Sequence, residues 1–312
     1  MRIAIVGQQA FGKAALEAFL ERGDDVAGVF AAPEAPGARP DPLRQAASER
    51  GLKTFQFKSL GSPEALGALQ DLGVELGVMA YVTQFAPQPF VTVPKHGMIQ
   101  FHPSLLPLHR GPSSINWAII QGRSETGLSI FRPTDGLDEG AVILQKTVPI
   151  GPDDTLGSVY FDKIFPAGIK ALLEAADAVV QGKARETTQD ESEASYEGWC
   201  REAESRINWA NHADQIYNLI RGCNPAPGAW TTLRQAQGGE QKLYLFEARK
   251  IPVRIFGTVK GFKPGQVMSV SDASFTICAH GGLIEVQRCR IGDGKKITGK
   301  EAGIAQGTML GG

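Results

Sequence analysis

The residues best suited to chemistry lie in two short stretches. The first is Gln100-Phe101-His102-Pro103-Ser104-Leu105-Leu106-Pro107-Leu108-His109-Arg110-Gly111. Met98–Phe101 reads as a short buried strand, so His102 stands at its carboxyl end, the place where open α/β sheets bind ligands. An imidazole there can take and return a proton near neutral pH. Period-two alternation puts Gln100 on the same face as His102. Two polar side chains on an apolar strand cost desolvation unless they meet partners or a ligand. A histidine hydrogen-bonded to close a loop fits this segment equally well. The second stretch, Glu125–Gly140, runs as a strand into a glycine-rich loop carrying Asp135 and Asp138. A carboxylate paired with an imidazole makes an acid–base couple. Aspartates also occupy such turns by bonding their own backbone, a reading that suits Asp135 before Gly136 and extends to Asp138 before Gly140. His109 reads as a surface loop residue and Arg110 as a loop anchor, while His96, His212 and His280 have no partner visible in the sequence.

These groups need a scaffold, and 312 residues suggest two domains. With 42% apolar and 21% charged residues the chain can bury a sizeable core, which excludes wholesale disorder. Lys and Arg number 32 against 33 Asp and Glu, without the positive excess of a dedicated nucleic-acid binder. That balance hides a split: from Cys200 onward 15 cations face 9 acids, a net +6, while the remainder holds 17 against 24, a net −7. The 37 glycines mark tight turns and close backbone approaches. No apolar run reaches 18 residues and no signal-peptide pattern opens the chain, so no membrane partner is expected. Four cysteines without C-x-x-C spacing read as free thiols of a cytoplasmic protein, with no structural zinc.

Up to the polar stretch Lys183–Ser195, which reads as a linker, strands and helices alternate. Arg2–Val6, Asp25–Phe30, Leu76–Tyr81, Met98–Phe101, Gly127–Phe131 and Ala141–Val148 read as strands. Phe11–Arg22 and a long run from Leu156 to about Gln181 read as helices. Alternation of this kind predicts a Rossmann-like, mostly parallel sheet flanked by helices. The loop Gly7-Gln8-Gln9-Ala10-Phe11-Gly12 lacks the spacing of a dinucleotide fingerprint, so no NAD is implied. After the linker, a helix at about Ala210–Arg221 precedes short strand-like runs at Lys242–Ala248, Gly265–Val270, Ser274–Cys278 and Leu283–Arg290, which suggest a small β-barrel.

Together, His102-Pro103-Ser104-Leu105-Leu106-Pro107 and Gly136-Leu137-Asp138-Glu139-Gly140 resemble the signature of the formyltransferase family that uses 10-formyltetrahydrofolate. The resemblance runs through most of the chain. It extends to Ile207-Asn208-Trp209 and to Arg221–Trp230, which look like the family's C-terminal domain. Within the family the likeness is nearest to the N-terminal hydrolase domain of 10-formyltetrahydrofolate dehydrogenase. It is carried there by Gln84-Phe85-Ala86-Pro87, His102-Pro103-Ser104, Ser114-Ile115-Asn116-Trp117 and Pro227-Gly228-Ala229-Trp230. Methionyl-tRNA formyltransferase comes next.

The resemblance implies a catalytic, folate-binding domain over residues 1–190 and an OB-like barrel domain over 200–312. It implies acyl transfer from N10 of the folate to water or an amine, with no metal. His102, helped by Gln100, would stabilise the tetrahedral oxyanion, and Asp138 would hold His102 or the attacking water. The folate ring would lie between Tyr81–Phe85, including Gln84, and the loop Thr134–Asp138, including Asp135, with Leu105 and Leu106 shaping the slot. Two departures stand out. Gln100 replaces the Asn of the family's transferases, and Arg132 stands at a position the family fills with an aromatic, Val or Gln, at one edge of the pocket. The tRNA-binding relatives carry a basic loop after the second strand. Here Ala31–Arg50 sets Arg39, Arg44 and Arg50 against Glu34, Asp41 and Glu49, a poor match for the phosphates of initiator tRNA. Ending at Gly312, without the dehydrogenase's further domains, the chain is not expected to oxidise the formyl group by itself.

Overall fold

The computed structural model describes residues 1–234, 239–253 and 259–311. Elements alternate from the first residue: β1 (Arg2–Gly7), α1 (Gln9–Glu21), β2 (Asp25–Phe30), α2 (Pro42–Glu49), β3 (Thr54–Phe55), α3 (Pro63–Leu72), β4 (Leu76–Ala80), α4 (Gln88–Val91), β5 (Met98–His102), α5 (Ser114–Ile120), β6 (Glu125–Phe131) and β7 (Val142–Pro149). The seven strands form one sheet in the order β3-β2-β1-β4-β5-β6-β7. β1, β2, β3, β4 and β5 pair in parallel, and β6 runs antiparallel to β5. The sheet is therefore mixed and mostly parallel, as the alternation predicts.

Local chemistry explains several element ends. Asp41 and Ser62 cap α2 and α3 by accepting from the backbone of Leu43 and Ala65, each with proline in the first helical turn. Gly7 has a different purpose from phosphate binding. A Cβ there would lie 2.0 Å from the Ala80 carbonyl oxygen, so the glycine lets β1 approach β4. The amide of Gln9 at the start of α1 donates to Asp41 Oδ2 at 2.8 Å, which puts a carboxylate where a dinucleotide fold would seat a phosphate.

The helical run that begins at Leu156 is continuous but not uniform. α6 (Leu156–Ser158) passes through a π-helical turn at Val159–Ile164 into α7 (Phe165–Val180), whose first turn holds Pro166. α7 lies flush against the sheet at Gly168, where a Cβ would come within 2.5 Å of the Phe101 ring. Phe101 stacks on Phe11 with centroids 4.2 Å apart, so the middle residue of the Gln100–His102 triplet faces α7. Gln100 and His102 then take the opposite face.

The remaining elements are α8 (Ala213–Gly222), β8 (Ala229–Arg234), β9 (Glu240–Leu245), β10 (Ala248–Pro252), β11 (Val267–Val270), β12 (Phe275–Ala279), β13 (Gly282–Val286) and β14 (Cys289–Ile291). They form two small antiparallel sheets, β10-β13-β12-β11 and β14-β9-β8. The run Leu283–Arg290, read as one strand, divides between these sheets. Gln287 and Arg288 leave β13 and pair with Glu247 and Phe246.

Two compact units result. One comprises Met1–Gly111, Gly127–Val148 and Phe161–Tyr196; the other comprises Pro112–Thr126, Pro149–Tyr160 and Glu197–Gly312. The second unit thus recruits α5 from the middle of the sheet-forming sequence. Asn116 Nδ2 donates to the carbonyls of Gly222 (2.9 Å) and Ala226 (3.3 Å), and a Cβ on Gly222 would lie 2.7 Å from Ile120. Among the described residues no helix is long and apolar enough to cross a membrane, and no group of three or more His, Cys, Asp or Glu side chains is gathered as for a metal.

Candidate active site

β5 delivers His102 to the carboxyl edge of the sheet between β4 and β6, with His102 opposite Ser129 and Gln100 opposite Phe131. The loop that follows is fastened from below. Ser129 Oγ donates to the Ser104 carbonyl at 2.7 Å and accepts from the Leu106 amide at 3.1 Å. Gln145 Nε2 donates to the Leu106 carbonyl at 2.8 Å and to Ser129 Oγ at 2.9 Å. Leu106 is buried, and Leu105 packs over Gly127, where a Cβ would lie 2.5 Å from Leu105 Cδ2.

His102 is only 6% exposed, and both ring nitrogens face protein. Nε2 lies 2.9 Å from the His109 carbonyl oxygen, which can only accept, so Nε2 carries a hydrogen and donates. Nδ1 lies 3.4 Å from Asp138 Oδ2. A doubly protonated ring lets both nitrogens donate at once, with the carboxylate balancing its charge. Asp138 is 9% exposed, and its Oδ2 also accepts from the Gly111 amide at 2.9 Å. The two stretches singled out in the sequence therefore meet at an imidazole–carboxylate pair. Gln100 is half-buried one pleat away.

The loops around the pair are held in backbone states that L-residues seldom adopt. His109 has φ 55°, Asp138 φ 55° and Tyr81 φ 61°. Such geometry persists only where the surroundings over-determine it. Part of that constraint is Gly140: a Cβ there would sit 1.5 Å from the Arg132 carbonyl oxygen. His109 corrects the surface-loop reading. It is buried, and its carbonyl is the partner of His102; a polar run ending in glycine looks like an exposed turn when read in one dimension. Arg132 also differs from its expected place at a pocket edge. Its guanidinium donates to the carbonyls of His96 (2.8 Å) and Met98 (3.1 Å) and to Glu186 (2.8 Å), at the start of β5 rather than its end.

The remaining candidates fall on two loops that are tied together. The Gln88 amide donates to Asp135 Oδ1 at 3.1 Å, and Gln88 Nε2 donates to the Pro133 carbonyl at 3.1 Å. Thr134 Oγ1 accepts from the Gly136 amide, a local turn bond. Gln84 directs its amide to the carbonyl of Phe57 at 2.8 Å and so braces the loop from outside. Tyr81 and Phe85 on one loop and Leu137 on the other are exposed apolar side chains, an arrangement that suits a flat, partly apolar ligand. Leu137 did not stand out in the sequence, because one leucine in an acidic loop has no periodic signal.

Arg110 is fully buried and organises a further layer. It donates to Gln189 Oε1 through Nε (3.1 Å) and Nη2 (2.8 Å), to both Glu191 oxygens (2.8 and 2.6 Å) and to the Tyr196 hydroxyl. Hydrogen bonding to Glu191 raises its pKa further above the ordinary arginine value, and Arg110 in turn lowers that of Glu191. The Ser195 hydroxyl and carbonyl accept from the amides of His109 (2.8 Å) and Arg110 (2.9 Å). Polar, small-residue composition made 183–195 look like a free linker. In the structure Thr187 bridges to Val142, and Gln189 and Ser195 hold the loops that carry the pair.

Comparison with known proteins shows the family to which the chain belongs. A family model described as formyl transferase matches residues 1–175, and a formyl transferase C-terminal domain model matches 200–305. Human cytosolic 10-formyltetrahydrofolate dehydrogenase is 40% identical over 253 residues, 80% of this chain and 27% of that protein. The chain thus spans about a quarter of the dehydrogenases it matches. Methionyl-tRNA formyltransferase of Geobacter metallireducens is 30% identical over 306 residues, 96% of this chain and 94% of that one. Among solved structures, HypX of Aquifex aeolicus in complex with tetrahydrofolic acid superposes with a TM-score of 0.65 at 18% identity, covering 97% of this chain and 46% of that one. An N-formyltransferase of Helicobacter canadensis, solved with folinic acid and dTDP-3-aminofucose, gives 0.66 at 16%, covering 91% and 98%. At these identities the two structures speak for the fold.

Proposed function

Since the chain belongs to the formyl transferase family, we propose that it takes the formyl group from N10 of 10-formyltetrahydrofolate and passes it to water, releasing formate and tetrahydrofolate, or to a small amine. The observation that carries this reading is the buried His102–Asp138 pair at the carboxyl end of β5. Beside it stand the two loops proposed to grip the folate. Tyr81, Phe85 and Leu137 supply apolar surface, Leu105 and Leu106 the floor, and Gln84, Thr134 and Asp135 hold the loops in place.

Asp138 Oδ2 is occupied by His102 and Gly111, which leaves Oδ1 to orient the attacking water or amine. The nucleophile forms a bond to the formyl carbon, and its proton passes to the pair. His102 turns from the His109 carbonyl to the developing oxyanion, with the Gln100 amide as a second donor. The carbon–N10 bond then breaks, and N10 leaves as a neutral amine after receiving a proton from the imidazolium. The chemistry needs neither metal nor nicotinamide. The human relative is described as cytosolic, a setting that suits four free, buried thiols.

A second reading, formylation of initiator methionyl-tRNA, draws on the methionyl-tRNA formyltransferase match, which spans nearly both whole chains. It also draws on cations stacked over rings in the second unit: Arg206 and Lys242 on Trp230, Arg290 on Tyr244 and Phe246. The loop after β2 favours the first reading. Arg44 is paired with Glu34 at 2.7 Å and Arg50 with Glu17 at 3.0 Å, so neither is a ready phosphate ligand. Incubation with 10-formyltetrahydrofolate alone, then with charged initiator tRNA or amines such as amino sugars, decides between them. Formate released without acceptor is the expected result; strict dependence on tRNA would establish the second reading instead.

A further inference from the structure

Gln189 lies outside both signature stretches, yet its amide is fully engaged around them. It is 8% exposed. Nε2 donates one hydrogen to the Asp138 carbonyl at 2.7 Å and the other to the Gly140 carbonyl at 2.7 Å. Oε1 accepts twice from Arg110. The backbone it grips is the strained one: Asp138 sits at φ 55°, and Gly140 closes against Arg132. The same amide reaches the carboxylate from the other side, because Arg110 precedes Gly111, whose amide holds Asp138 Oδ2. One side chain thus fixes both the backbone of Asp138 and, through Arg110, the donor that aims its carboxylate at His102.

We propose that Gln189 is a positioning residue that holds Asp138 against His102, so that residues 187–196 complete the reactive centre. The proposal rests on reading His102 and Asp138 as the acid–base pair. A side chain that only stabilised the fold would affect melting and leave the behaviour of the imidazole alone. A positioning residue must alter it, because the carboxylate beside Nδ1 shifts when its loop relaxes.

The test uses Gln189→Leu and Gln189→Glu in the full chain. Leucine removes every bond at similar volume. Glutamate keeps the acceptors for Arg110 and loses both donors to Asp138 and Gly140. For both, kcat for formate release is expected to fall roughly 10- to 100-fold, the loss that a small misplacement of a reacting group brings. KM for 10-formyltetrahydrofolate should stay within about threefold. The titration of the His102 ring nitrogens, followed by 15N NMR, should move away from wild type. Wild-type kcat in Gln189→Glu, or an unchanged His102 titration in either folded variant, overturns the proposal. If Gln189→Leu does not fold, Gln189→Glu, with its tie to Arg110 intact, decides alone. If the wild-type protein transfers no formyl group to any acceptor, the functional reading falls, and the His102 titration still decides the place of Gln189.

Discussion

His102 has a carbonyl on one ring nitrogen and a carboxylate near the other, so removing the charge of Asp138 and removing the ring have different consequences. Asp138→Asn keeps an oxygen for the Gly111 amide but no longer balances an imidazolium. It should lower formyl release by about 10²- to 10⁴-fold with an unchanged circular dichroism spectrum. His102→Ala should abolish turnover and still fold, since the ring sits at a strand end; wild-type release from that variant would remove it from the mechanism. Gly140→Ala should cost activity without touching a polar group, because its methyl would drive into the Arg132 carbonyl. At this scale the sequence singled out His102 by its place at a strand end, Gln100 by alternation along that strand, and Asp138 by its glycine-rich loop. Gln189 and Ser195 stayed hidden because a polar residue in a polar stretch carries no signal until its partner is known. His109 was misread for a related reason: its contribution is a backbone carbonyl, which every residue possesses.

The elements position these residues through close approaches that only small side chains permit. Gly127 on β6 lets Leu105 and the Lys146 carbonyl meet, the latter 2.3 Å from where a Cβ would be. Gly127→Ala should destabilise the protein by about 1–3 kcal/mol in a denaturant melt, as overpacking does. The pairing of α8 with β10 carries a pH signature. A hydrogen bond from Lys250 to Asp214 holds that carboxyl below its usual range. Its contribution is complete above about pH 4, where an unfolded carboxylate is ionised, and is lost as pH falls through the lowered value. Asp214→Asn should therefore flatten the acid side of the Tm profile and change little at neutral pH, since the pair is solvent-exposed. Of the parallel strands, β1, β2, β4 and β5 were legible because each is a short apolar run with turn signals beside it; β3, only two residues long, was not. The division of Leu283–Arg290 between two sheets was not, because a strand that changes partners keeps its apolar character throughout.

Across the molecule the four cysteines are free and buried. Burial pushes the Cys289 thiol up to about 11, which suppresses the reactive thiolate at neutral pH. The native protein should react slowly with a thiol reagent and release four equivalents once unfolded; rapid labelling of the folded state would contradict this burial. The two compact units do not divide the chain at a single point. Composition could not foretell that the second body would borrow 112–126 and 149–160, because α5 shows the same apolar pattern whichever core it joins. That borrowing bears on how the protein is made. α5 leaves the ribosome about 90 residues ahead of α8, the helix it packs on, which at usual rates of synthesis is a delay of roughly 5–20 s. Throughout that interval Trp117 and Ile120 lack the α8 cluster they pack against. The nascent chain carries that side of the helix uncovered until its last third is made, and that is the window in which a chaperone has most to offer it.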